Sequence, residues 1–167
     1  MKLFQNITIG GLCMDEILMM PHITNAGVFD SRLRENKIDP NPSRITTSFE
    51  IELPLDNGGT AYINNTTYPI TDHMLLCAKP GQLRSTIPPF RCIYIHAEAD
   101  GYLRRILLTL PEVIHIDTPE DYHALFAAMI SERNIQSPPH INLMLHSLIL
   151  QLIHQLQQDA GSPMISK

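Results

Sequence analysis

Between Arg44 and Ala99 the chain breaks into short apolar runs at close intervals, each ended by residues that turn a backbone, and few folds accept that texture. The run RITTSFEIELPL sets Phe49, Ile51, Leu53 and Leu55 against Ser48, Glu50 and Glu52, the period-2 alternation of a half-buried strand. That pattern puts Glu50 and Glu52 on one strand face, where paired acids are ordinarily solvated rather than catalytic. DNGG at Asp56–Gly59 tolerates positive φ and predicts a hairpin turn. Then come TAYI, a turn at Asn64-Asn65, TYPI, HMLLCA, a turn at Pro80-Gly81, LRSTI, a stop at Pro88-Pro89 and the long run RCIYIHAEA. A last strand is expected around residues 113–116. Many short strands with turns every several residues predict an all-β sandwich or barrel.

From Thr118 the period becomes helical. Thr118 can cap, Pro119 takes the first helical position, and Tyr122, Leu125, Phe126, Met129 and Ile130 share a face. Ser137 and Pro138 offer a second start. Beyond them Ile141, Leu145, Leu148 and Leu152 form one stripe, with Ile149, Ile153 and Leu156 as a neighbouring stripe. So broad an apolar surface allows one side to face the domain and the other a partner, which marks Leu145, Leu148, Ile149, Leu152 and Leu156 as a candidate dimer interface. A helix simply sunk between the β part and the first helix fits the same periodicity. The expected organisation is therefore 1–43 as an N-terminal arm and first strands, 44–117 as the β domain, 118–159 as a helical region, and 160–167 as linker.

Composition removes several function classes. With 167 residues the chain can bury a real core. A net charge of −5 gives no basic surface to neutralise phosphates, so these residues alone make a poor DNA-binding unit. Cys13, Cys77 and Cys92 are odd in number and lack metal-ligand spacing, which points to reduced, buried thiols in a cytoplasmic protein. MKLFQNITIGGLC lacks a convincing cleavage site, and no apolar run approaches the roughly 20 residues that span a bilayer. The sequons at Asn6, Asn64 and Asn65 then carry no meaning.

The chemistry-bearing residues are few. Small double-stranded β-helix domains, the cupins, ligate metals with a His pair and a Glu early and a further His shortly after a Pro-Gly turn. Here the turn is followed by Arg84, an obligate cation, and residues 44–55 contain no His. His115, His123, His140, His146 and His154 are scattered through or beside the helical part without forming a ligand pair. No G-x-S-x-G, P-loop, GxGxxG or HExxH is present, so catalysis has little support and no cofactor is implied. Cys92, Tyr94, His96 and Glu98 alternate with Ile93, Ile95 and Ala97, giving one polar, aromatic strand face. That face suits the wall of a small-ligand cavity; it equally suits the outside of a sheet, with Ile93 and Ile95 as the core.

RITTSFEIELPL, a glycine turn, AYINNTTYPI, MLLCAKPGQLRS and FRCIYIHA, followed by two helices, resemble in order and spacing the N-terminal effector-binding and dimerisation domain of AraC/XylS-family bacterial transcription regulators. The resemblance runs from about Arg44 to Asp159 and is best marked at LLCAKPGQ and YIHA. It implies a cupin-like double-stranded β-helix, a jelly-roll barrel, followed by two α-helices. It also implies a metal-free pocket for a small polar effector, a sugar or related metabolite, held by Arg44, Arg84 or Thr86, Cys92, Tyr94 and His96. Ala97 stands where the family usually has an aromatic residue. A homodimer is implied, with DNA bound only through a helix-turn-helix half that would follow the helices and has no counterpart in these residues. The rivals are a metal-dependent enzyme of the cupin class and a ligand-free dimerisation module.

Overall fold

The computed structural model describes residues 21–33, 42–134 and 143–161. Cys13, the sequon at Asn6, the expected helix start at Ser137 and Pro138, His140, Ile141 and the tail after Gly161 lie outside the described residues.

The strands are β1 (His22–Asp30), β2 (Arg44–Ile45), β3 (Phe49–Pro54), β4 (Thr60–Ile63), β5 (Thr66–Pro69), β6 (Met74–Ala78), β7 (Leu83–Ile87), β8 (Arg91–Glu98) and β9 (Val113–His115). The helices are α1 (Gly101–Thr109), α2 (Pro119–Asn134) and α3 (Leu143–Gly161), and Ser31–Leu33 form a short 3-10 turn. Five strands make one antiparallel sheet in the order β1-β8-β3-β6-β9, and four make a second in the order β2-β7-β4-β5. Hydrogen bonding among the described residues does not close these sheets into a barrel. The protein is mainly β, as the turn spacing predicts.

The first sheet buries apolar residues on both faces, and period-2 alternation sorts the two sets. Phe49, Ile51 and Leu53 of β3, Leu75 and Cys77 of β6, and Ile95 and Ala97 of β8 join a core with the helices. Met74 and Leu76 of β6 and Cys92 of β8 instead meet Ala61 of β4, with Ile70 and Phe90 from the loops. Thus the first sheet is a central layer, with helices on one side and the second sheet on the other.

Of two expected turns, one forms as expected and one does not. Asn64-Asn65 closes a two-residue hairpin, Ile63 pairing with Thr66, and Asn64 has φ of 53° as such a turn needs. Asp56–Gly59 closes none, because β3 and β4 belong to different sheets. It is a corner that carries the chain from one sheet to the other. Gly59, at φ 74°, lies so near the opposite loop that a Cβ there would fall 2.2 Å from the Pro89 carbonyl oxygen. Only glycine fits.

The helix α3 supplies a second correction. Leu152 and Leu156 are 0 % exposed and Ile149 is 1 % exposed within a single chain, all three packed in the helical core with Tyr122, Phe126 and Met129 of α2. They are not on a partner-facing surface. Burying such side chains stabilises the fold by roughly 1.5–3 kcal/mol each, so the domain itself uses the stripe. Leu145 and Leu148 are half-buried against the same core, and only Leu143 and Met144 are strongly exposed apolar residues of this helix. The helix is therefore sunk against the β part and α2, and the Tyr122 hydroxyl donates to Asp159 Oδ2 at 2.5 Å to fasten the two helices.

Sequence periodicity leaves α1 unassigned. Its Ile106 and Leu107, with Leu110 just beyond its end, enter the helical core. Within 1–43, expected as an N-terminal arm and first strands, the described residues contribute a full edge strand, since β1 pairs with β8 from His22↔Glu98 to Asp30↔Arg91.

Candidate functional site

The space between the sheets is defined by three adjacent strands of the central layer. Register places Asn25, His96 and Glu50 in one cross-strand row and Gly27, Tyr94 and Glu52 in the next, with Phe29, Cys92 and Pro54 below. The row is possible because β1 carries a bulge between Ile23 and Asn25. The extra residue, Thr24, reverses the facing of the rest of the strand, so Ile23 belongs to the helical core while Asn25 and Phe29 line the space between the sheets. Opposite them, the second sheet turns Arg84 and Thr86 of β7 inward, and Arg44 of β2 pairs directly with Arg84.

These side chains enclose a cavity of about 220 Å³. Arg44, Arg84, Thr86, Cys92, Tyr94 and His96 all line it, so the structure brings the six sequence-derived candidates together on one surface. On the polar face of β8, Cys92, Tyr94 and His96 turn to the space between the sheets, and Glu98 at its end is exposed. Those first three form cavity wall, while Ile95 and Ala97 on the other face pack beneath the helices.

Glu52 also lines the cavity, although its sequence context gives it a solvated strand face. Glu50 and Glu52 are 2 % and 7 % exposed, not solvated, because the second sheet covers their face. Each acid has an arginine partner from that sheet. Arg44 donates from both Nη atoms to the two oxygens of Glu50, one bond at 2.7 Å, and Arg84 Nη2 donates to Glu52 Oε2. Two guanidiniums directly opposite each other on a strand pair repel. The two carboxylates offset that repulsion, and the Glu50 bond holds the Arg44 guanidinium above its ordinary pKa despite its partial desolvation. The sequence shows the charges, two acids on β3 and one arginine on each of β2 and β7, but no local spacing pairs them.

Within the cavity Arg84 is 3 % exposed; its Nη1 reaches the Ser85 carbonyl oxygen at 3.3 Å, and its Nε has no hydrogen-bond partner. Arg44 is 48 % exposed and stands where the cavity meets solvent. The Tyr94 and His96 rings lie 5.0 Å apart between centroids, tilted by 46°. Burial lowers the His96 pKa below its ordinary value, with Glu50 and Glu52 pulling the other way. The neutral imidazole is the form that fits there at neutral pH.

The thiols are poor nucleophiles. Burial pushes Cys77 up to about 12 and raises Cys92 further, so neither is a thiolate under ordinary conditions. Among the described residues no three His, Cys, Asp or Glu side chains gather around a point that could hold a metal ion, and no helix is long and apolar enough to cross a membrane.

Fold and site together define a mainly β domain, backed by helices, with a charged and aromatic cavity between its two sheets. No protein-family model and no curated protein matches the chain. Among solved structures it is similar to ToxT from Vibrio cholerae at 12 % identity and a TM-score of 0.44, over 89 % of this chain and 60 % of that one. The chain thus spans less than two thirds of that protein's length.

Proposed function

We propose that this chain is the ligand-sensing and dimerisation domain of an AraC/XylS-type transcription regulator, working in the cytoplasm. It binds a small polar metabolite between its sheets without a metal, catalyses no reaction, and reaches DNA only through an attached helix-turn-helix half. Two antiparallel sheets facing each other are compatible with the cupin-like double-stranded β-helix that the sequence resemblance implies. The observation that carries the reading is the cavity itself: it is lined by the residues that the resemblance implies for an effector site, and it holds directional donors beside an aromatic wall. A ligand touching β1, β7 and β8 together favours one arrangement of these strands by its differential affinity, and that bias is what a regulator transmits.

Calorimetry against a broad panel of sugars and related metabolites tests the sensor. Binding of one compound, abolished by Tyr94→Ala, is expected; a panel with no ligand at all would sink the reading. The space between the sheets argues against a ligand-free dimerisation module, which would fill it with side chains. Stoichiometric iron, manganese or zinc in the purified protein would favour the cupin-class enzyme instead. For self-association, the exposed apolar residues of α3 are Leu143 and Met144 at its start, with Leu148 half-buried at the edge of the core. Sedimentation of Leu148→Glu should show monomer where the wild type shows dimer, and an unchanged mass would remove that surface.

A further inference from the structure

The charges around the cavity cancel, and the cancellation constrains what can enter. This inference rests on the sensor reading and concerns the chemical class of its ligand. Two arginines side by side in a concave site ordinarily gather a carboxylate or a phosphate, because the planar guanidinium matches those groups. Here both are already engaged: Glu50 grips Arg44 with two oxygens, and Glu52 binds Arg84 Nη2. Arg84 lines the cavity, is only 3 % exposed, and its Nε is without a hydrogen-bond partner. That Nε has almost no accessible surface, so it is not part of what the cavity presents to a ligand.

Glu52 decides which group can enter. It lines the same cavity next to Arg84, so a group that enters beside Arg84 also meets a carboxylate in a partly desolvated setting. A second carboxylate placed there would repel the first, and the partial burial makes the repulsion stronger than in water. A hydroxyl or an amide accepts from Arg84 and donates to Glu52, and it meets both demands without adding charge.

We propose that Glu52 is a specificity-determining residue that makes this cavity select a small uncharged ligand bearing hydroxyl or amide groups and reject its carboxylate counterpart. Thr86, beside Arg84, and Tyr94, across from Glu52 on β8, complete the polar lining.

Acetamide and acetate share shape and differ in charge, so they serve as matched probes. In the 15N spectrum the Arg84 Nε–H resonance, which reports on the whole guanidinium and is assigned by its loss in Arg84→Lys, should move with acetamide in wild type and stay in place with acetate over the same range. In Glu52→Gln acetate should bind at least about tenfold more tightly than in wild type, the scale of one charge contact in a partly screened site. Acetate bound by wild type as well as acetamide, acetate affinity unchanged by Glu52→Gln, or no response of Arg84 Nε–H to either probe would each overturn the proposal. The wild-type comparison does not depend on the variant folding. The two readings fail differently: a metabolite panel without any ligand removes the sensor, whereas an acid that binds when its neutral counterpart does not removes only this inference.

Discussion

Arg84 on β7 and Glu52 on β3 are bonded to each other across the space between two sheets that share no strand. Both side chains are nearly inaccessible to solvent, so the pair is a crosslink between layers and at the same time part of the cavity wall. Removing one partner leaves a buried charge alone. Arg84→Ala should cost about 3–5 kcal/mol in urea unfolding, while joint replacement by apolar residues, Glu52→Leu with Arg84→Met, should regain most of that. A single replacement as mild as a surface substitution would show that the pair is solvated.

Gly27 is directly opposite Tyr94 on the neighbouring strand, and a Cβ there would stand 3.1 Å from the tyrosine hydroxyl oxygen. The ring must then give way by a few tenths of an ångström. Gly27→Ala should therefore shift the Tyr94 ring resonances and weaken ligand binding, while unfolding free energy changes by less than about 1 kcal/mol, the span of strand propensities. Unmoved Tyr94 resonances would mean that the strand, not the ring, absorbs the methyl group.

Burial lowers the pKa of His96 in the folded chain, so the unfolded chain binds the proton first as pH falls from about 6.5. In that window the unfolded state carries more protons, and stability falls as pH drops through the folded value. Above the unfolded value the contribution is fully present. Urea midpoints measured from about pH 5 to 8 should decline toward acid less steeply in His96→Gln than in wild type. Parallel curves would place His96 in water.

Leu152 and Leu148 are four residues apart on α3 and should respond in opposite ways. Leu152 is fully buried, so Leu152→Ala should cost about 2–5 kcal/mol whatever the state of association. Leu148→Glu should leave the fold largely intact and act on association. Equal losses of stability would place both in the core.

Cys77 and Cys92 are 4 % and 1 % exposed and carry raised thiol pKa values. Neither should react with a thiol-directed dye in the native protein near pH 8, and both should react after unfolding in urea. Prompt labelling of either without denaturant would mean that the sheets part readily.

Much of this architecture is readable from the chain. Alternation in FEIELP and RCIYIHAE marks β3 and β8, the short apolar run MLLCA between turns marks β6, and Pro119 with the Tyr122–Met129 stripe marks α2, because local period and backbone preference are properties of a few consecutive residues. Harder to read were the residues whose meaning depends on a distant layer. Glu50 and Glu52 have the spacing of a solvated strand face until a second sheet covers them, and the Asp56–Gly59 turn looks like a hairpin until β4 leaves for that sheet. The short helix α1 lacks a long stripe, and its apolar residues acquire a face only from the core they complete.

The sequence determined which segments extend, which coil, and which face of β8 is polar, since those follow from steric preference and side-chain alternation. Tertiary packing alone decided that this polar face encloses a cavity, that two acids face two arginines across it, and that Leu152 and Leu156 turn inward. Charge pairing and burial are relations between layers, joining positions as far apart as Glu52 and Arg84, 32 residues from each other, and no local period records them.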